Sequence, residues 1–175
     1  MTRDRALKRA ADMDQRTHLE IGARPFPSPH KMFSAIRAYL LRRSEDINRK
    51  NNPIQLLKFI ESNGVASIVL GPGIDKGPTP QHFHFDSGAR LSFGLILRER
   101  DGGSQLVEFR YHYQLPASPS PGYFRFDLNK APHTDPLSEP RCHLHPGLED
   151  VRLPISLHDP FEILDRIFFV LEKSG

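Results

Sequence analysis

The chain has 175 residues, 26% of them charged and 38% apolar, with a net charge of +3. That is one domain's length, and the composition excludes wholesale disorder. No apolar run approaches the roughly 20 residues that a membrane helix needs, and a single cysteine, Cys142, excludes an internal disulfide. The charge is uneven: residues 1–60 carry 13 basic against 6 acidic side chains, and residues 61–175 carry 11 against 15. A basic front half attracts nucleic acid or another acidic partner. It is equally what a solvated helix surface gives, as in Arg42-Arg43-Ser44-Glu45-Asp46.

Residues 1–22 are polar and weakly patterned, a short helix or a frayed tail. They show no 7–15-residue apolar stretch, so the expectation is a cytoplasmic protein without a secretory signal. Residues 23–63 read as helical. Ser28 and Pro29 supply a cap and a first-turn proline. Met32, Phe33, Ile36, Tyr39 and Leu40 then recur at helical spacing. Asn52-Pro53 repeats the start signal with Gln55 placed for a capping box, Leu56, Leu57 and Ile60 form an apolar face, and Asn63-Gly64 reads as the stop.

After Gly64 the period changes to two, and residues 64–128 read as sheet. "VASIVL" (65–70), "QHFHFD" (81–86), "RLSFGLILR" (90–98), "QLVEFRYHYQL" (105–115) and "YFRFDL" (123–128) are the strands. Glycine- and proline-rich turns separate them, with Asp101-Gly102-Gly103 the strongest hairpin signal. Residues 129–158 read as one long irregular loop rich in histidine and proline. Asp159-Pro160-Phe161-Glu162 then opens a helix over 159–172, with an apolar stripe of Phe161, Leu164, Ile167, Phe168 and Leu171. The expectation is a single α+β domain. An antiparallel meander of about four or five strands has the N-terminal helices and the C-terminal helix packed on one face.

Strand alternation divides the side chains. Phe83, Phe85, Leu91, Phe93, Leu95, Leu97, Val107, Phe109, Tyr111, Tyr113, Phe124, Phe126 and Leu128 fall on one face, which must be the core. The other receives His82, His84 and Asp86, then Glu108, Arg110, His112 and Gln114, then Arg125 and Asp127. Six of the nine histidines fall between 82 and 145. A polar sheet face is ordinarily just wet, but three histidines, two arginines and three acids are richer than solvent requires.

Three chemistries suit such a set. His-x-His on a strand points both rings one way, so His82 and His84 are candidate ligands for a divalent transition metal. "TPQHFHFD" is similar to the first half of a cupin motif, but the glutamate that should follow is absent. Cys142, His143 and His145 could ligate zinc, although adjacent ligands are strained and no Cys-x-x-Cys exists. The acid–base reading needs no metal or other cofactor. Histidine exchanges a proton near neutrality, and an arginine beside it can hold a phosphate.

"YHYQ" (111–114), "FRFDLNKAPHTD" (124–135) and "CHLHPGLEDVRLP" (142–154), followed by an acid-started amphipathic helix, resemble the TumE-like family of small bacterial toxins. The matching positions are Arg125, Phe126 and Asp127, then Ala131, Pro132 and His133, then His143 and His145, then Gly147 and Glu149. The likeness covers about residues 105–172. Leu128-Asn129-Lys130 stand where the family pattern has one residue, and the front half is larger than the family's. The resemblance implies a growth-inhibiting toxin paired with an antitoxin encoded beside it, with RNA as a plausible target.

The leading expectation is therefore a metal-independent, RNA-acting toxin. Its catalytic set is His112, Arg125, Asp127, His133, His143 and His145, and Arg110, Arg42, Arg43 and Glu149 assist binding. Its partners are an antitoxin and RNA, with no membrane. The competing readings are a binding module without turnover, holding RNA or a protein, and a metalloenzyme built on the His-x-His pairs.

Overall fold

The structure, a computed structural model, describes residues 28–47, 53–71, 82–100, 103–116, 122–130, 140–156 and 159–171. The expected tail at 1–22, the glycine-proline loop at 72–80 and His133 lie outside the described residues. Helix α1 (Pro29–Ile47) begins where Ser28 and Pro29 direct, with the Met32 amide donating to the Ser28 carbonyl. Its apolar positions Met32, Ile36, Tyr39 and Leu40 are all buried.

Beyond α1 the chain departs from the helical expectation for 23–63. Helix α2 is one turn, Pro53–Leu56, and β1 (Leu57–Ser62) follows it directly. Strand β1 pairs antiparallel with β2 (Val65–Leu70) around Asn63-Gly64, so that Ser62 faces Val65. Both turn residues have positive φ, 51° and 71°, which suits a two-residue hairpin whose backbone follows the strand twist. Asn-Gly is thus a hairpin turn and not a helix stop. The helical apolar stripe is lost with it, since Ile60 is 57% exposed.

The remaining strands are β3 (Phe83–His84), β4 (Arg90–Arg100), β5 (Gly103–Gln114), β6 (Tyr123–Leu128), β7 (Cys142–His145) and β8 (Leu153–Pro154). Among the described residues the sheet has eight strands, more than expected, in the order β1-β2-β4-β5-β6-β7-β8, with β3 paired to β4. Every pairing is antiparallel. Strands β7 and β8 lie inside the segment that reads as irregular from sequence. Cys-His-Leu-His alternates, but four residues are too few for a period to stand out.

The core forms between the apolar sheet face and the helices. Phe83, Leu91, Phe93, Leu95, Phe109, Tyr111 and Tyr113 are at most 1% exposed, each worth roughly 1.5–3 kcal/mol of burial. One assignment shifts. A β-bulge at Val107 lets Leu97 face Leu106 while Ile96 faces Glu108, so Leu106 points inward and Val107 sits half-buried. Helix α3 (Pro160–Asp165) carries the expected capping box, Asp159 with Glu162, and continues as a π-helical segment over Arg166–Leu171. Ile163, Leu164, Ile167 and Phe168 bury its inner side. The Tyr39 hydroxyl donates to Asp165 at 2.7 Å, which ties α3 to α1. Among the described residues no helix is long and apolar enough to cross a membrane.

Candidate functional site

Antiparallel pairing sets the side chains of the polar face into rungs across four strands. One rung runs Ser92, His112, Arg125, His145, and the next runs Gly94, Arg110, Asp127, His143. Residues directly opposite in a ladder share a face. The rungs therefore bring together residues that lie up to 53 positions apart and whose meeting depends wholly on register.

Asp127 is at the centre, with its side chain 3% exposed. A carboxylate buried this deeply needs charge partners and hydrogen bonds. Arg125 Nε donates to Asp127 Oδ2 at 2.8 Å, and Arg110 Nε donates to Oδ1 at 3.3 Å. The other nitrogens of Arg125 are engaged too. Nη2 donates to His145 Nε2 at 2.8 Å, and Nη1 reaches both oxygens of Glu149 at 2.8 Å. The Tyr123 hydroxyl donates to the same carboxylate at 2.9 Å. Burial works against the Arg125 charge, but Asp127 and Glu149 outweigh it and lift its pKa above the ordinary value. Burial likewise opposes the Glu149 charge, while the bonds from Arg125 and Tyr123 hold its pKa below the usual carboxylate range.

His143 and His145 form the floor of the site at 1% and 0% exposure. His143 Nδ1 faces the Pro140 carbonyl, and His145 Nδ1 faces the Leu148 carbonyl at 3.3 Å. The turn that delivers Leu148 and Glu149 passes through Gly147 at φ 82°, where a side chain would be strained. The two Nε2 atoms lie 3.0 Å apart. They stand 3.6 Å and 3.4 Å from Asp127 Oδ2 for His143 and His145 respectively. Burial, foremost, holds the His143 pKa below the ordinary value.

The upper layer is more open. His112 is half-buried with its ring 5.2 Å from that of Tyr123. Burial first, then the charges of Arg125 and His82, push the His112 pKa down, which favours the neutral ring. Arg110 is 35% exposed along its side chain, Arg125 17% and Glu149 65%.

Of the residues singled out from sequence, the structure gathers Arg110, His112, Arg125, Asp127, His143, His145 and Glu149 in one cluster. Cys142, His84, Arg42 and Arg43 stay outside it, His82 is near enough for its charge to act on His112, and His133 lies outside the described residues. His84 is exposed and His82 half-buried, with ring centroids 6.5 Å apart. Among the described residues the one set of His, Cys, Asp and Glu atoms close enough to hold a metal is Asp127, His143 and His145. Cys142 alternates with His143 and His145 onto the core face, where its Sγ lies 3.8 Å from the Ser156 carbonyl, so these three share no site. Arg43 stacks 4.1 Å over the Phe169 ring and helps hold the C-terminal helix, while Arg42 is exposed on α1. Tyr123 was absent from the expected set. It precedes Arg125 by two residues and so shares its face, which period two alone could have signalled.

No family model matches the chain, nor does any curated protein or solved structure.

Proposed function

We propose that the chain acts on RNA as a toxin-like phosphodiester-cleaving protein, restrained by an antitoxin partner. The observation that supports this reading most is the rung placing His112 directly across the ladder from Arg125, with Arg110 and Asp127 on the rung beside it. Arg125 and Arg110 supply a charge pair to hold a phosphate. Glu149, exposed and bound to Arg125 through a single nitrogen, is the group that an incoming phosphate displaces. His112 is held in its neutral form and takes the proton of the ribose 2′-hydroxyl. The 2′-oxygen attacks phosphorus and the bond to the 5′-oxygen breaks. Tyr123 stays a phenol, because burial and Glu149 raise its pKa, and it gives the leaving oxygen its proton. The products are a 2′,3′-cyclic phosphate and a 5′-hydroxyl. Asp127 and His145 act behind Arg125, as positioning residues that fix the guanidinium by accepting from its Nε and Nη2, and His143 packs behind them both. None of these roles needs a metal.

The test is incubation of the purified chain with RNA in the presence of a chelator, with product ends identified by mass spectrometry. Cyclic phosphate ends are expected, and His112→Ala abolishes them while the thermal midpoint changes little. RNA left intact by the wild-type chain, with toxicity in cells unchanged by His112→Ala, overturns the reading. Intact RNA with salt-sensitive binding points to a module without turnover.

A further inference from the structure

We propose that Asp127, His143 and His145 form a binding site for one divalent first-row transition-metal ion, reached by outward movement of Arg125. The first support is a proton count. A carbonyl oxygen only accepts, so the contacts to Pro140 and Leu148 place a hydrogen on Nδ1 of both histidines. In the neutral form that a metal requires, each ring has one N–H, and with that hydrogen on Nδ1 both Nε2 atoms carry lone pairs. These lone pairs face each other across 3.0 Å, and the third neighbour, Asp127 Oδ2, is also an acceptor. Three acceptors converge in a place where each ring is at most 2% exposed. Arg125 supplies hydrogens to two of them, from Nη2 to His145 Nε2 and from Nε to Asp127 Oδ2, so His143 Nε2 is the one that faces only acceptors.

Shape is the second support. The triangle of 3.0, 3.4 and 3.6 Å leaves a point about 2.0–2.2 Å from every corner, the span of zinc–nitrogen and zinc–oxygen bonds. The third is orientation. Histidine ligands hold a metal best when the other ring nitrogen donates to a fixed acceptor, which sets tautomer and ring angle. Both rings meet that condition through backbone carbonyls. Two imidazoles and a carboxylate suit zinc, iron(II), cobalt(II) and nickel(II), and three protein ligands leave further positions for water or substrate.

Arg125 decides the behaviour of the site. Its guanidinium and the ion are two cations competing for the same His145 lone pair and the same Asp127 oxygen. Glu149, exposed on the solvent side, can keep Arg125 when it leaves. The ion therefore enters by exchange with the guanidinium. This proposal is independent of the RNA reading, because its readout is metal binding.

The probe is cobalt(II), titrated into the full chain after treatment with a chelator. One equivalent is expected to bind, with visible ligand-field bands, and zinc displaces it one for one. X-ray absorption should show two imidazoles. His143→Gln and His145→Gln each weaken binding by at least about 10–100-fold, the loss that disturbing the groups behind a ligand already produces. Arg125→Met tightens binding, and His84→Ala leaves it unchanged. Absence of stoichiometric cobalt binding by folded wild-type protein overturns the proposal, as does binding that persists in the His143→Gln, His145→Gln double variant. Weaker binding in a folded Arg125→Met protein overturns the exchange with the guanidinium.

Discussion

Two segments of this chain carry the same pattern, His82-x-His84 and His143-x-His145, and both place their rings on the polar face. The first sits at the short strand β3, with one ring half-buried, the other exposed, and 6.5 Å between centroids. The second lies in β7 between two strands, with both rings buried and 4.8 Å between centroids. The difference comes from what stands across the ladder. His84 faces Arg90, whereas His143 faces Asp127 and His145 faces Arg125. A sequence pattern sets where a ring points, and the neighbouring strand sets whether it meets a carboxylate, a guanidinium or water.

The largest expected break in this contrast is Asp127→Asn. It keeps the shape but removes the charge on which two arginines and two buried histidines converge. Removing one partner of a buried ion pair costs about 3–5 kcal/mol, to be read from denaturant midpoints. Asp86→Asn, next to exposed His84, should stay within about 0.5 kcal/mol. A step smaller is the histidine pair itself. His145→Ala opens a cavity and takes the acceptor from Arg125 Nη2, a loss of about 2 kcal/mol or more. The matching His84→Ala is again within about 0.5 kcal/mol. If the two alanine variants prove equally stable, the buried pair is not the structural floor that its geometry describes.

The smallest effect sharpens the comparison through pH. Burial, Arg125 and His82 hold the folded His112 pKa below its unfolded value, which is near 6.5. Between those two values the unfolded chain binds more protons, so stability rises with pH across that window and is complete above about 6.5. It falls as pH drops below 6.5, until the folded ring also protonates. His82→Ala removes one of the repelling groups, so the His112 resonance in a proton NMR titration should move its midpoint upward. An unchanged midpoint would show that His82 exerts no force on the upper layer.

Much of the architecture is legible where local chemistry dictates it. Ser28-Pro29 starts α1, Asp159 to Glu162 starts α3, and the phase of β4 to β6 separates Phe93, Phe109, Tyr111, Tyr113 and Phe126 from Arg110, Arg125 and Asp127. Misreadings arise where two local signals share one sequence. Asn63-Gly64 ends helices and turns hairpins alike, and only the presence of Val65–Leu70 as a pairing strand decides between them. The site residues were readable as types and faces, but their union was not. That Arg125 meets His145 and Asp127 meets His143 follows from the register of β6 against β7, across a connection whose length carries no register information. His112 against Arg125 is the same case one strand earlier.

The bulge at Val107 has a consequence for chain length. Leu106 and Phe109 both turn inward with two residues between them, where strict alternation would allow one. A chain shortened by Val107 alone would keep every other side chain of β5 on its present side and convert the ladder into an unbroken one. Shortening by one residue between Phe109 and Gln114 would instead invert part of the strand and carry His112 or its neighbours into the hydrocarbon interior. Loss of a single residue is thus tolerable at the bulge and ruinous beyond Phe109.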